Sequence, residues 1–222
     1  MSRNKPFVTI KYAQTLDGKI ADQKGQSRWI SGREARKFAH QLRAEHQAVL
    51  VGVNTVIKDD PLLTVRLVKG KNPLRIILDS RLRTPPGSRI IKGAGKVPII
   101  IATTARAPKR KIKLFQKRGI RIIVVPGGKA GGLDLTKLLI FLGKLKIKTL
   151  LVEGGSKIIT SFLKKKLVGR LIVVIAPRIL GKGLAAIGDL EIPGINKSLK
   201  FKLEEVKKIG KDLIIVNKVV RR

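Results

Sequence analysis

The run Leu150-Leu151-Val152-Glu153-Gly154-Gly155-Ser156 carries a carboxylate and two glycines at the end of an apolar stretch, just ahead of an amphipathic one. A strand that delivers Glu153, followed by a helix start at Ser156, can let a phosphate approach the backbone closely and meet free N–H groups. This could cradle a dinucleotide pyrophosphate, although no GxGxxG is present at the junction. The same residues also suit a plain glycine turn between a strand and a helix. Leu78-Asp79-Ser80-Arg81 is a second strand exit, ending in a hydroxyl and a guanidinium. That pair suits an adenosine 2′-phosphate, because arginine offers a fork of donors; an ordinary polar exit is the simpler reading. The third stretch, Asn54 to Arg66, sets Asp59 and Asp60 ahead of Pro61, as a solvated helix stop would. Trp29, the one tryptophan, follows Ser27 and Arg28 in a polar segment. A core position is its default, and a flat ring beside a ligand ring is the alternative. His40 and His46 are six residues apart and do not share a helix face for a metal, so no metal site is expected.

These residues need a scaffold, and the chain supplies alternating strand and helix patterns. Strands are expected at Phe7–Ala13, Ala48–Val51, Leu74–Leu78, Val97–Ala102, Ile120–Val125, Thr149–Val152 and Leu171–Ala176. Ser31-Gly32-Arg33-Glu34 reads as a capping box opening a helix to about Glu45, with Phe38, Ala39 and Leu42 inward. A short helical turn is expected at Asn54–Ile57, and a basic helix at Pro108–Arg118. Asp134 caps a helix to Leu145, and another runs from Ser156 to Lys165. Gly210-Lys211-Asp212 sits between Phe201–Ile209 and Leu213–Val219 as the turn of an antiparallel hairpin. The order predicts an α/β fold: a mixed, mostly parallel sheet with helices on both faces and a C-terminal antiparallel hairpin. The glycine- and proline-rich segments 84–87 and 127–132 have loop length, so residues 1–222 are expected to form a single domain with a core over about residues 5–220.

Composition narrows the chemistry. The 222 residues include no cysteine, which removes disulfides, thiol nucleophiles and thiolate zinc sites. The apolar runs are too short to span a bilayer and the N-terminus has no signal-peptide pattern, so a cytoplasmic protein without membrane association is expected. Lys and Arg number 49 against 14 Asp and Glu, a net charge of +35. Residues 67–130 hold 17 of the bases and one acid, whereas residues 1–66 hold 12 bases and 6 acids. Anions must accompany such a chain. Aromatics are only 4%, and runs such as Lys109-Arg110-Lys111 contain none. A base-stacking nucleic-acid reader is therefore a lesser alternative, with non-specific polyanion binding as a side effect.

The motifs also fall in one order: Ala13-Gln14-Thr15-Leu16-Asp17-Gly18-Lys19, Ser27-Arg28-Trp29-Ile30, Leu42-Arg43-Ala44, Val51-Gly52-Val53-Asn54-Thr55-Val56 running into Asp59-Asp60-Pro61-Leu62-Leu63-Thr64-Val65-Arg66, Leu78-Asp79-Ser80, Val152-Glu153-Gly154-Gly155 and Ile175-Ala176-Pro177. This series resembles the reductase family of riboflavin biosynthesis, from Lys5 to the C-terminal hairpin. The resemblance implies a three-layer fold like that of dihydrofolate reductase. It implies NADPH-dependent reduction of a 5′-phosphorylated ribosylaminopyrimidine to the ribitylamino product, with NADH less favoured and the diamino pyrimidinone preferred over its deaminated uracil counterpart. It places substrate contacts at Ser27, Arg43, Leu63, Arg66 and Glu153. Cofactor contacts would be Ala13, Trp29, Thr55, Asp59, Ser80 with its neighbour Arg81, and the segment Gly155, Ser156, Lys157, Ile158, Ile159, Thr160 and Ser161. No side chain is assigned to the chemical step beyond positioning, Glu153 being the best candidate. A homodimer is expected, and a zinc deaminase module, which many bacterial relatives carry, is not.

Overall fold

The structure, a computed structural model, describes residues 5–128 and 131–220. In chain order the elements are β1 (Phe7–Thr15), β2 (Lys19–Ala21), α1 (Arg33–Glu45), β3 (Ala48–Gly52), α2 (Val53–Asp59), β4 (Leu74–Leu78), α3 (Arg89–Lys92), β5 (Ile99–Thr103), α4 (Lys109–Lys117), β6 (Arg121–Val124), α5 (Leu135–Lys144), β7 (Thr149–Val152), α6 (Ser156–Lys164), β8 (Arg170–Ala176), β9 (Leu184–Ala185), β10 (Phe201–Ile209) and β11 (Asp212–Val219). Contacts group them into two compact units, residues 5–7 with 41–151 and residues 8–40 with 152–220.

In the first unit the strands run β7-β3-β4-β5-β6. The pairs β3–β4, β4–β5 and β5–β6 are parallel, with Leu50 opposite Ile76 and Ile77 opposite Ile101. Every residue of β3 and β5 is buried, which is why these strands read as unbroken apolar runs rather than alternating ones. Asp134 caps α5 as expected, accepting from the N–H groups of Thr136 at 2.9 Å and Lys137 at 3.1 Å. Lys129 and Ala130 of the segment 127–132 lie outside the described residues.

In the second unit β1 pairs parallel with β8, from Thr9–Arg170 to Thr15–Ala176. Strand β11 runs antiparallel to both β8 and β10. The predicted hairpin is present, turning at Gly210 with φ of 59°. A small antiparallel pair, β2 with β9, was not expected; its strands are too short to show alternation.

Four local expectations are corrected. Gly32, not Ser31, takes the N-cap of α1: its carbonyl accepts from Arg36 N–H, and its own N–H donates to Asp212 Oδ2 at 2.6 Å. A carboxylate from the hairpin therefore sits at the positive end of the helix, where it is favoured. The buried face of α1 is Ala35, Ala39, His40 and Leu42, while Phe38 is half-buried under Lys207. The turn at Asn54–Ile57 extends into the helix Val53–Asp59, whose C-cap Asp60 adopts the left-handed conformation ahead of Pro61. Strand β5 begins at Ile99 because Val97 and Pro98 turn their carbonyls to Arg75.

Candidate functional site

The first unit assembles an arginine cluster around the loop after α2. Asp60 Oδ1 accepts from Arg89 N–H at 2.7 Å, fixing the loop's start. Leu63 is 3% exposed and has φ of 54°, a left-handed turn by a bulky residue. Its two flanking carbonyls are both held by guanidinium groups. Arg75 Nη1 donates to Leu62 O at 3.3 Å, and Arg43 Nη1 donates to Thr64 O at 3.2 Å. Arg66 Nη1 then donates to Thr64 Oγ1 at 2.7 Å, and Asn72 Oδ1 accepts from Val65 N–H at 2.7 Å. The guanidinium of Arg66 is pushed below its ordinary value, first by desolvation and then by the like charges of Arg43 and Arg89. Arginines that raise one another's energy are relieved by an anion, and a phosphate is the anion their forks fit. The family resemblance implied Arg43 and Arg66; the structure brings them together and adds Arg89.

Arg75 was missed altogether. It lies in the apolar run of β4 and is completely buried. Among the described residues no carboxylate pairs with its guanidinium, which instead donates to the carbonyls of Leu62, Gly93 and Val97. Burial pulls its pKa down to about 10. The only signal in the sequence is an arginine inside a strand that is otherwise aliphatic.

Also in this unit, Ser80 stands half-buried and Arg81 exposed at the carboxyl end of β4. The Ser80 carbonyl accepts from Thr104 Oγ1 at 2.7 Å, while Asp79 is buried and accepts from Thr84 N–H at 2.6 Å and Thr84 Oγ1 at 2.7 Å. Asp79 thus shapes the exit, and Ser80 and Arg81 are presented by it. Thr55 and Asp59 are half-buried on α2.

The second unit presents a different site. Glu153 is half-buried just beyond β7, and Gly154 is buried. Gly155 is the N-cap of α6 with φ of 63° and ψ of 137°, a conformation open to glycine and strained for other residues. Its carbonyl accepts from Ile158 and Ile159 N–H at 3.0 and 3.1 Å. The N–H groups of Ser156 and Lys157 are those a helix start leaves without an intrahelical acceptor. Further along, Thr160 and Ser161 turn their hydroxyls to the carbonyls of Ser156 and Lys157, both at 2.7 Å, and Thr160 Oγ1 also accepts from Gly188 N–H at 2.8 Å. Within Gly155–Ser161 the donors that a helix start leaves over therefore lie in the first turn.

Trp29 is 61% exposed, so the core reading is overturned. Arg36 lies over its ring at 4.3 Å from the centroid, and Arg178 Nη1 donates to its carbonyl at 3.0 Å. Ser27 is half-buried in the same loop, its carbonyl accepting from Ile30 N–H at 3.1 Å. Ala13 lies on β1 opposite Val174. Asp17, at the end of β1, accepts from Thr15 Oγ1 at 2.5 Å and from the N–H groups of Leu180 and Gly181 at 3.1 and 2.8 Å. These bonds lower its pKa to about 2, the Thr15 bond contributing most.

The architecture, a mostly parallel α/β sheet with an antiparallel C-terminal hairpin, is shared with dihydrofolate reductase from Enterococcus faecalis complexed with NADP(H), at a TM-score of 0.56, 12% identity and 96% coverage of both chains. That likeness is one of fold alone. The chain belongs to the family described as RibD C-terminal domain, whose sequence model matches residues 6–215. It is 44% identical over 216 residues to the riboflavin biosynthesis protein RibD of Aquifex aeolicus, covering 97% of this chain and 58% of that protein. The chain thus spans little more than half the length of that relative. A protein of Methanothermobacter thermautotrophicus named 2,5-diamino-6-ribosylamino-4(3H)-pyrimidinone 5′-phosphate reductase is 38% identical, with 95% of this chain and 97% of that one covered. Among solved structures, Acinetobacter baumannii RibD superimposes with a TM-score of 0.86 at 29% identity, over 100% of this chain and 60% of that one. No helix among the described residues is long and apolar enough to cross a membrane.

Proposed function

We propose that the protein is an NADPH-dependent reductase of riboflavin biosynthesis, acting on 2,5-diamino-6-ribosylamino-4(3H)-pyrimidinone 5′-phosphate and working in the cytoplasm as a homodimer. The observation that carries this reading is the end-to-end match to the Methanothermobacter reductase. Arg43 and Arg66 hold the substrate's 5′-phosphate, on a loop whose carbonyls at Leu62 and Thr64 are already fixed. Leu63 lies against the substrate between those two anchors. Ser27 and Glu153 address the sugar and the pyrimidine; a carboxylate accepts from amino groups, which no arginine can do. In the reaction, the ribose ring opens to an imine, hydride is added at the former anomeric carbon, and a proton is added at the nitrogen.

The residues present fit a nicotinamide dinucleotide. Gly155 leaves room for a pyrophosphate at the first turn of α6, and Ser80 with Arg81 suits a 2′-phosphate. Ala13, Trp29, Thr55 and Asp59 complete the cofactor contacts. When bound, the cofactor supplies the hydride. The chain's own part is to align donor and acceptor, and such positioning needs no nucleophile or metal.

The test mixes the protein with NADPH and each candidate ribosylaminopyrimidine phosphate and follows loss of the nicotinamide absorbance. Turnover of the diamino substrate is expected; no turnover with either pyrimidine would sink the assignment. Equal efficiency with NADH and NADPH would show that Ser80 and Arg81 do not read the 2′-phosphate. Light scattering near physiological ionic strength should report a dimer, because like-charge repulsion at +35 makes assembly salt-sensitive.

A further inference from the structure

Between Asp79 and Asp134 the sequence places fourteen lysines and arginines and no acid at all. Helix α4 lies within this stretch as Lys-Arg-Lys-Ile-Lys-Leu-Phe-Gln-Lys. It is anchored by Phe115, which is completely buried. Its cations divide into two sets. Lys111 Nζ donates to Leu82 O at 3.1 Å, and Arg118, just past the helix, donates to Pro86 O at 2.7 Å. Lys109, Arg110, Lys113 and Lys117 are exposed and have no carboxylate partner among the described residues. At 3.6 residues per turn, these four fall within an arc of about 100° on the side away from Phe115.

Two features make this face electrostatically costly in the free protein. Lys109, Lys113 and Lys117 are spaced i, i+4, i+8, so each neighbouring pair repels. Lys109, Arg110 and Lys111 also occupy the first turn, where the helix dipole disfavours cations. The second unit treats its cations differently: Lys164 pairs with Glu191, Arg170 with Glu204 and Lys207 with Glu205. The α4 face is thus unneutralised from within its own chain neighbourhood.

We infer that the exposed face of α4 is a docking surface for the phosphate backbone of nucleic acid, separate from the reductase function. Charge complementarity selects a polyanion. The face offers lysine and arginine heads with no exposed aromatic for base stacking, so contact is with phosphates and independent of base sequence. A row of charges about 6 Å apart along the helix, rather than one pocket, suits a linear polymer better than a small anion.

The experiment measures binding of a fluorescently labelled, mixed-sequence 20-nucleotide RNA by anisotropy between 50 and 200 mM salt. The wild-type protein is compared with the triple variant Lys109→Glu, Lys113→Glu, Lys117→Glu. A control variant, Lys197→Glu, Lys200→Glu, Lys202→Glu, makes the same change in net charge at exposed positions of the second unit. Wild-type affinity should fall steeply with salt. The α4 variant should bind on the order of tenfold or more weakly and lose about two to three from the log–log salt slope, while the control keeps most of both. Equal weakening by the two variants would assign binding to diffuse net charge and overturn the proposal. So would binding to phosphatidylserine vesicles through α4 without binding to RNA. The single change Lys113→Glu guards against misfolding: it replaces two repulsive pairs by attractive ones and should leave the melting temperature equal or higher while still weakening RNA binding. The readout is binding rather than turnover, so its result is independent of the reductase assignment.

Discussion

The arginine loop of the first unit and the Glu153–Ser156 junction of the second both suit phosphates but are built on opposite principles. In the loop, side chains fix the backbone: Arg75, Arg43 and Asn72 hold successive groups from Leu62 to Val65. At the junction the proposed binding surface is the backbone itself, and the requirement on side chains is that Gly155 have none. A site made of side-chain clamps tolerates bulky residues in unusual conformations, as Leu63 shows. A site made of bare backbone depends on one dihedral angle and on a helix start.

Arg75 offers the largest effect by which to break this contrast. Arg75→Met removes a buried charge but leaves the carbonyls of Leu62 and Val97 without their donor, while that of Gly93 keeps the N–H of Val97. At about 1–3 kcal/mol for each of these two unsatisfied groups, stability to denaturant should fall by at least about 2 kcal/mol. If the variant is as stable as the wild type, the loop is not held in this way. Glu153→Gln comes next: it keeps the shape but removes the charge and turns donors toward the pyrimidine's donors. A charged hydrogen bond of about 1.5–3 kcal/mol corresponds to a tenfold to hundredfold loss in kcat/KM for substrate, with NADPH affinity nearly unchanged. Loss of NADPH binding with intact turnover would mean that substrate and cofactor roles at the junction are exchanged.

Gly155→Ala sharpens the comparison from the other side. Strain of about 1–3 kcal/mol at a positive φ should appear as roughly tenfold weaker NADPH binding by fluorescence titration, while the affinity of the arginine loop for inorganic phosphate stays the same. A weakened phosphate site would show that the two principles are not separable. The smallest effect concerns Asp17. Its folded pKa of about 2 lies below the ordinary 3.8, so its contribution to stability is complete above the ordinary value and is lost as pH falls through the folded one. Between about pH 4 and 2 the acid unfolding of Asp17→Asn should be shallower than that of the wild type, and identical curves would contradict the assignment.

Much of this was legible because the signals were local. Asp134 reaches N–H groups two and three residues on, Gly210 turns a hairpin between adjacent strands, and Gly155 meets its helix at the next residue. Each depends on neighbours in the chain, and pattern alone identified them. The candidate site was half legible: Arg43, Arg66, Glu153 and Ser80 lie on recognisable motifs, but Arg89 and Arg75 do not.

What the tertiary structure alone decided involves partners far apart in sequence. The N-cap of α1 passed from Ser31 to Gly32 because Asp212, 180 residues away, supplies the acceptor. Trp29 is exposed rather than buried because Arg36 and Arg178 hold its loop at the surface. Arg75 could be buried in β4 only because carbonyls from two separate segments, Leu62 and the loop from Gly93 to Val97, converge on it. The sequence by itself determined the order of strands and helices, the glycine junction and the excess of positive charge, since propensity, capping and composition act over a few residues. Which polar groups share a buried partner was decided by folding, because burial removes water as the alternative and forces each donor to find an acceptor wherever the chain has placed one.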